Sequence, residues 1–277
     1  MKQKYIKTKI ILICTFIILF FPTWIMIIGS FQNIQGFMKM PPDLWPTFFT
    51  IKNYTIMLYM PIFTWLKNTL IILISTVFLS VFISTSCGYV FATTKFKGKE
   101  FIWGILLIGL LLPRISVLIP IYVIIRQLGL SGTLLAVILS TSFSSFGILM
   151  ARNYFENIPK SLFESAILDG ADDVQIIWYI VMPVSFPAIT TLSLSTAIFS
   201  LSDYIWQALV LQKQAMQTLM VGLIKSGTIG QMIGGEAAIN PLGKMMAVGV
   251  ILFIPLLCVF LISNKYYLSS RGGAIKE

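Results

Sequence analysis

Histidine is absent from this chain of 277 residues, and only ten residues are Asp or Glu. The lack of histidine removes the side chain that most often shuttles protons near neutral pH and most often binds metal ions. The three cysteines, Cys14, Cys87 and Cys258, lie far apart inside apolar runs, so their spacing matches neither a zinc nor a redox motif. The chain also has no P-loop and no Gly-x-Ser-x-Gly sequence. We therefore expect a protein that is not an enzyme, with no cofactor and no metal site.

Charge is scarce as well, since 11% of the residues are charged and 57% are hydrophobic, with a mean hydropathy of +0.90. Soluble domains contain about 25% charged residues. The excess of apolar residues therefore indicates a membrane protein, and the continuous apolar runs favour helices over a barrel of alternating strands. The net charge of +10 comes mostly from lysines and arginines near the ends of these runs, where they set orientation. We do not expect a nucleic-acid partner.

The apolar runs predict an all-α fold, a single polytopic membrane domain over residues 1–277 with six transmembrane helices. Helices of about 20 residues match the ~30 Å hydrocarbon core of a bilayer. An even number of spans places both termini on one side. The loop at residues 93–100, with three lysines, assigns that side to the cytoplasm of a multi-pass cell-membrane protein. The predicted spans lie at residues 10–28, 66–91, 101–121, 133–150, 183–205 and 245–262.

Five side chains near the predicted span ends have a specific expectation. Trp65, Trp103 and Trp206 are expected in the aromatic belts at the two membrane surfaces. Arg114 and Asp203 are the charged residues nearest to the membrane interior. They either extend their charged groups to water or take part in function, because a charge within a span is costly.

Residues 151–182 interrupt the apolar runs and contain five of the ten acids. Ser161 followed by Glu164 matches a capping box, which predicts a helix over residues 162–168. Gly170 suits the C-terminus of that helix, and Asp172 suits the N-terminus of a second one. The segment is thus predicted to form a helical hairpin on the cytoplasmic side. Two interpretations remain at this point, a hairpin packed on its own helix bundle or a docking element for a partner.

The sequence of this segment resembles the EAA loop of ABC-importer permeases. In that loop Glu-Ala-Ala is followed by a glycine and then by Ile-x-Leu-Pro, which correspond here to 164–166, Gly170 and 180–183, with Ser165 and Met182 as departures. Other segments resemble the carbohydrate branch of the family, in particular its smaller maltose-type permease. These segments are Gly88-Tyr89-Val90-Phe91-Ala92, Leu112-Pro113, Ile119-Pro120-Ile121-Tyr122, Leu128-Gly129-Leu130, Thr218-Leu219-Met220-Val221-Gly222-Leu223 and Gly272-Gly273-Ala274-Ile275-Lys276.

The resemblance implies a permease subunit of an ATP-driven, binding-protein-dependent sugar importer, which forms half of the translocation path. It implies four partners: a second permease, cytoplasmic ATP-binding subunits, an extracellular solute-binding protein and membrane lipid. The glycine-rich loop at 207–244 is either a contact for the binding protein or a flexible connector. The residues implied to couple the permease to the ATPase are Glu164, Ser165, Ala166, Asp169, Gly170, Ala171 and Pro183.

The fifth predicted span is rich in hydroxyl side chains, which either let helices pack closely or line a path for a hydroxylated solute. The path residues predicted here are Ser193, Thr196, Ser200 and Asp203. Members of the family often have Trp-Asn-Asp-Phe where this chain has residues 201–204, Leu-Ser-Asp-Tyr, so that only the acid is kept. A self-contained secondary transporter is the alternative function, but it would favour buried acids or histidines and internal repeats, which the sequence does not display.

Overall fold

The computed structural model describes residues 2–33, 36, 39, 45, 46, 48–55, 57, 60–225 and 241–272. Its regular elements are helices, which confirms the predicted all-α fold, and Gln32 and Phe49 form an isolated antiparallel bridge. The helices used below are α1 (Lys2–Ser30), α2 (Lys52–Thr55), α3 (Ile62–Thr93), α4 (Lys99–Leu111), α5 (Arg114–Gln127), α6 (Leu134–Ser142), α7 (Ser145–Phe155), α8 (Lys160–Leu168), α9 (Asp173–Ile176), α10 (Met182–Val184), α11 (Phe186–Ser202), α12 (Tyr204–Val210) and α13 (Pro241–Gly272).

Two helices of the described chain are long and apolar enough to cross a membrane, Thr8–Ser30 within α1 and all of α3. Three pairs of consecutive helices also qualify if each bent pair counts as one span, which raises the number to as many as five. The sequence places its sixth span in α13, whose apolar portion is Leu242–Cys258. The count of six spans therefore stays a prediction.

The bends in these pairs lie at identifiable points of the sequence. Helices α4 and α5 meet at 112°, where Leu112 is extended and Pro113 cannot donate a helical hydrogen bond. The helix α6 ends at Phe143 and α7 begins 41° away, after Ser144 accepts a hydrogen bond from the amide of Gly147. The segment Asp173–Val184 meets α11 at 85° around Ser185. The third, fourth and fifth predicted spans are thus broken rather than continuous helices.

The chain divides into two compact units, of which the first contains Met1–Phe63 and Leu219–Pro255. Within this unit the C-terminal end of α1 is fixed by α2. The Asn53 amide donates hydrogen bonds to the carbonyls of Ser30 and Gln32 at 2.9 and 3.1 Å, and the Tyr54 hydroxyl donates one to Ser30 Oγ at 2.6 Å. The earlier part of α1 exposes its aliphatic and aromatic side chains, as a helix surrounded by lipid does.

The second unit contains Thr64–Thr218 and Leu256–Glu277 and includes most of α3. Between Leu73 and Gly88 the buried side chains of α3 are small and polar, with Thr76, Ser80 and Ser84 fully enclosed, whereas Phe78 and Phe82 are exposed. A helix of a soluble protein shows the reverse pattern, with its large apolar side chains buried and its polar ones exposed. Lipid is as apolar as leucine, so large apolar side chains gain little by leaving it, while small side chains let helices approach closely.

Helices α3 and α7 approach closely at one point, where each helix presents two small residues four positions apart. A Cβ atom added to Gly88 would lie 2.6 Å from the Cβ of Ala151, and one added to Gly147 would lie 2.5 Å from Ser84 Oγ. These four residues therefore let the two backbones touch, in the small-xxx-small pattern of membrane helices. A methyl group at either glycine requires the helices to move apart.

The aromatic-belt prediction is wrong for two of the three tryptophans. Trp65 and Trp206 are fully buried within the second unit. The Trp65 Nε1 group donates a hydrogen bond to the Gln214 carbonyl at 2.9 Å, and the Trp206 Nε1 group donates one to Ser140 Oγ at 2.8 Å. A position near a span end is compatible with a membrane surface or with the protein interior. In both tryptophans a tertiary hydrogen bond holds the indole inside the protein. Trp103 is partly exposed and lies beneath the guanidinium of Arg152.

The contact between α3 and α7 predicts different outcomes for one substitution at two helical glycines. Gly147→Ala should destabilise the protein by ~1–3 kcal/mol, because the added methyl group overpacks the contact with Ser84. Gly104→Ala is the matched control, since a Cβ there meets nothing within 4 Å and alanine favours the helix. The measurement is the midpoint of thermal unfolding in detergent, which should fall by about 2–10 °C for Gly147→Ala only.

A second variant tests the cause of that loss. Adding Ser84→Ala to Gly147→Ala removes the hydroxyl oxygen nearest to the new methyl group, so part of the lost stability should return. Equal midpoints for the two glycine variants would contradict the proposed close contact.

Candidate functional site

The acidic segment folds as a helical hairpin, called here the acidic hairpin and comprising residues 160–184. Its first helix, α8, begins after Pro159, whose fixed φ of −55° suits the start of a helix. The predicted capping box of Ser161 and Glu164 is wrong, because the helix starts two residues earlier, at Lys160, and Pro159 occupies the N-cap position without a side-chain hydrogen bond. The predicted end at residue 168 is confirmed.

The turn after α8 is a Schellman motif. The amide of Gly170 donates a hydrogen bond to the Ile167 carbonyl, and the amide of Ala171 donates one to the Ala166 carbonyl, both at 3.0 Å. Gly170 has a φ of +82°, a left-handed conformation that side chains with a Cβ disfavour. The spacing of four residues from Ala166 to Gly170 is the spacing that this motif requires.

The second arm starts with the capping box that the first arm lacks. Asp172 Oδ1 accepts a hydrogen bond from the Gln175 amide at 2.7 Å, and Gln175 Oε1 accepts one from the Asp172 amide at 3.0 Å. The helix then widens to π-helical geometry over Ile177–Val181 and reaches the exposed Pro183, which has no amide hydrogen to donate. The predicted helix start near Asp172 is confirmed.

One face of the acidic hairpin packs on the rest of its unit. A buried cluster joins Ala166 of the first arm and Ile176 of the second to Tyr89 of α3 and to Phe155. The Tyr89 hydroxyl also donates a hydrogen bond to Asp173 Oδ1 at 2.9 Å. Both arms are therefore fixed to α3, and a displacement of the hairpin would act directly on that helix.

The opposite face of the acidic hairpin is exposed and contains both apolar and acidic side chains. Leu168 is 88% exposed and Ile167 is 62% exposed, beside the exposed Asp169. Glu164 and Ser165 are exposed as well. The predicted coupling residues thus divide between the two faces, because Ala166 is buried and Ala171 is half-buried against the cluster.

A second group of functional candidates centres on an ion pair that the sequence did not indicate. The Arg114 Nη2 group donates a hydrogen bond to Asp203 Oδ2 at 2.5 Å, across 89 positions of sequence. The guanidinium also lies 4.1 Å from the centre of the Phe199 ring, a cation–π distance. Each charge is therefore paired within the protein. The structure does not show both groups extending to water.

The four predicted path residues lie in different environments. Thr196 is buried, lies 3.4 Å from Ser80 Oγ and lines a cavity of about 310 Å³ that Arg114 also lines. Ser200 is buried too. Ser193 lines a separate, apolar cavity of about 710 Å³ and donates its hydroxyl hydrogen to the Ile189 carbonyl at 2.8 Å. The structure brings Thr196 and the Arg114–Asp203 pair together and places Ser193 apart from them.

The turn at Gly170 predicts that backbone conformation, not space, limits substitution there. A Cβ at Gly170 meets nothing within 4 Å, but its φ costs a β-branched residue about 1–2 kcal/mol. Gly170→Val should therefore speed hydrogen exchange of the Ala171 amide by about tenfold, the equivalent of 1.4 kcal/mol. Gly170→Asn is the control, since asparagine tolerates this conformation and should exchange near the wild-type rate. Equal exchange rates in the two variants would argue against the turn as the reason for glycine.

Known proteins provide an independent comparison. The family described as "Binding-protein-dependent transport system inner membrane component" matches residues 2–271. The chain is 30% identical to the trehalose/maltose transport permease of Thermococcus litoralis, covering 100% of this chain and 99% of that protein. It is 25% identical to the arabinooligosaccharide transport permease of Bacillus subtilis, covering 92% and 90%.

A solved structure agrees with the fold. A chain of a bacterial ABC transporter involved in the import of the acidic polysaccharide alginate superposes with a TM-score of 0.82 at 22% identity, covering 96% of this chain and 97% of that one. The expected resemblance to importer permeases is thereby confirmed. The chain belongs to the family of inner membrane components of binding-protein-dependent transport systems.

Proposed function

We propose that this chain is a permease subunit of an ATP-driven sugar importer and that the acidic hairpin couples it to a separate ATPase. The observation that supports this most directly is the hairpin with two different faces. One face is fixed to α3 through a buried cluster, and the other presents exposed Leu168 and Ile167 beside acids. A membrane protein without a P-loop must receive the energy of ATP hydrolysis from another chain.

The exposed face has the composition of a docking surface. Leucine exposed to 88% at the tip of a structured turn is costly in water and is typical of an anchor that enters a groove on a partner. The adjacent acids, Glu164 and Asp169, suit a groove with a basic rim, where they would guide the approach. We therefore assign Glu164, Ser165, Asp169 and the two exposed apolar side chains to the ATPase contact.

The packed face supplies the mechanical connection. Ala166, Ala171 and Gly170 set the shape of the turn and its contact with the cluster, and Pro183 ends the second arm before the 85° bend into α11. When ATP closes two ATPase subunits, the docked hairpin would move with them. Because Tyr89 and Asp173 fix the hairpin to α3, that movement would tilt α3 and the helices packed on it, and so alternate access to the path.

The solute that we propose is a sugar or polyol. Relatives of similar length are named for trehalose, maltose and arabinooligosaccharides. Hydroxyl side chains of α11 and the Arg114–Asp203 pair at its C-terminal end suit a solute that both donates and accepts hydrogen bonds. The path residues remain Ser193, Thr196, Ser200 and Asp203 in this proposal, with a second permease forming the other half of the path.

The remaining assignments follow from the family. A solute-binding protein would deliver the sugar on the outer side, and residues 226–240 of the glycine-rich loop proposed to meet it lie outside the described residues. Both termini and the acidic hairpin would face the cytoplasm. The alternative of a self-contained secondary transporter is not favoured, because the chain belongs to a family that works with a binding protein.

The docking face predicts that Leu168→Glu separates folding from assembly. The side chain is almost fully exposed, so the chain should insert and fold normally. Binding to the ATPase should weaken by about 2 kcal/mol, or roughly 30-fold, because a charge replaces a buried anchor at the interface. The measurement is co-purification of the ATPase with the tagged permease, together with sugar-dependent ATP hydrolysis.

Leu128→Glu is the matched control. Leu128 is also exposed at the end of a helix and precedes a glycine with positive φ, but it lies in another turn. This variant should retain its ATPase. Normal ATPase recovery with Leu168→Glu, or equal losses in both variants, would count against docking through the acidic hairpin.

A further inference from the structure

The cavity beside Arg114 lies where two pairs of membrane helices break. Arg114 follows the 112° bend between α4 and α5, and Phe143 and Ser144 form the break between α6 and α7. Broken helices leave backbone groups without helical partners, which a membrane protein tolerates where the break is enclosed by protein or lines a water-filled cavity. Two breaks beside one cavity therefore suggest that the cavity itself has a use.

The lining of this cavity combines three kinds of side chain. Five residues bear hydroxyl groups and three are phenylalanines, with Arg114 as the charged member. Several hydroxyl hydrogens are already used within the protein, since Thr141 donates to the Val137 carbonyl and Ser140 to the Ala136 carbonyl. The oxygens of such groups retain lone pairs and can accept hydrogen bonds from a solute.

Arg114 supplies the complementary donors. Its guanidinium has five N–H donors, and the bond to Asp203 uses one of them. The positive charge is balanced by the carboxylate 2.5 Å away, so the pair presents donors without net charge. A solute that both donates and accepts hydrogen bonds but has no charge of its own fits this set better than a carboxylated one.

The aromatic rings and the volume of the cavity narrow the class of solute further. Phe143, Phe146 and Phe199 offer flat apolar surfaces of the kind that pack against the C–H faces of a ring. The volume of about 310 Å³ lies at the lower end of the roughly 300–1,000 Å³ typical of small-molecule sites. One ring of a larger solute would occupy it.

We infer that this cavity, the Arg114 pocket, holds one neutral sugar ring during transport, so that this chain contacts the solute directly. The inference rests on the proposed function and deepens it. It adds Ser195, Thr141 and Phe199 to the residues expected to meet the solute and leaves Ser193 outside the site. The Arg114–Asp203 pair keeps its charge balance while the ring is bound.

The test is protection of a cysteine placed in the pocket. Ser195→Cys is introduced after the native Cys14, Cys87 and Cys258 have been replaced by serine, and the assembled importer is treated with a small methanethiosulfonate reagent. Neutral probes are maltose, trehalose and arabinotriose, and digalacturonate is the acidic probe. We expect at least one neutral probe to slow modification by threefold or more. Thr190→Cys, on the same helix but outside the pocket, should react at an unchanged rate.

A second measurement tests the pocket even if the cysteine variant does not assemble. Phe199→Ala should raise the KM for sugar uptake by about tenfold with little change in maximal rate, whereas the neighbouring Ile198→Ala, which does not line the pocket, should behave as wild type. Protection without ATP-dependent uptake would overturn the proposed function but support the pocket. Uptake without protection and without a KM change, or protection by digalacturonate alone, would overturn the inference.

Discussion

Helices in lipid gain little from burying large apolar side chains, so small residues must bring them together. In this protein that requirement falls on α3, whose Ser84 and Gly88 meet Gly147 and Ala151 of α7 almost backbone to backbone. The same helix lies against Thr196 of α11 through Ser80 and ends in the cluster that holds the acidic hairpin. Helix α3 thus connects the proposed docking element to the region of the proposed solute path.

Local hydrogen bonds determine the shape of the acidic hairpin, and tertiary packing determines its position. The Schellman motif at Gly170 and the capping box at Asp172 define the shape of the turn from within the segment. Burial of Ala166 and the hydrogen bond from Tyr89 to Asp173 then fix that shape to α3. Leu168 is exposed and is the proposed anchor for the ATPase. A rigid connection on one face and a free anchor on the other are what a part that transmits force requires.

Local features of this protein could be predicted from sequence, and long-range ones could not. The hairpin, its end at residue 168 and its second start at Asp172 follow from acids, glycine and caps that act over a few residues. The first cap was misassigned because Ser161 and Glu164 have the right spacing, yet Pro159 fixes the helix start earlier. The Arg114–Asp203 pair and the inward tryptophans depend on contacts between distant segments, which no spacing rule reports.

We propose that this chain forms a path but moves solute only when a separate ATPase acts on it. Uptake of labelled maltose, trehalose or arabinotriose into proteoliposomes of defined composition tests this dependence. Uptake should occur only when this chain, a second permease, the ATPase, the binding protein and ATP are all present. Uptake by liposomes that contain this chain alone, without ATP, would contradict it.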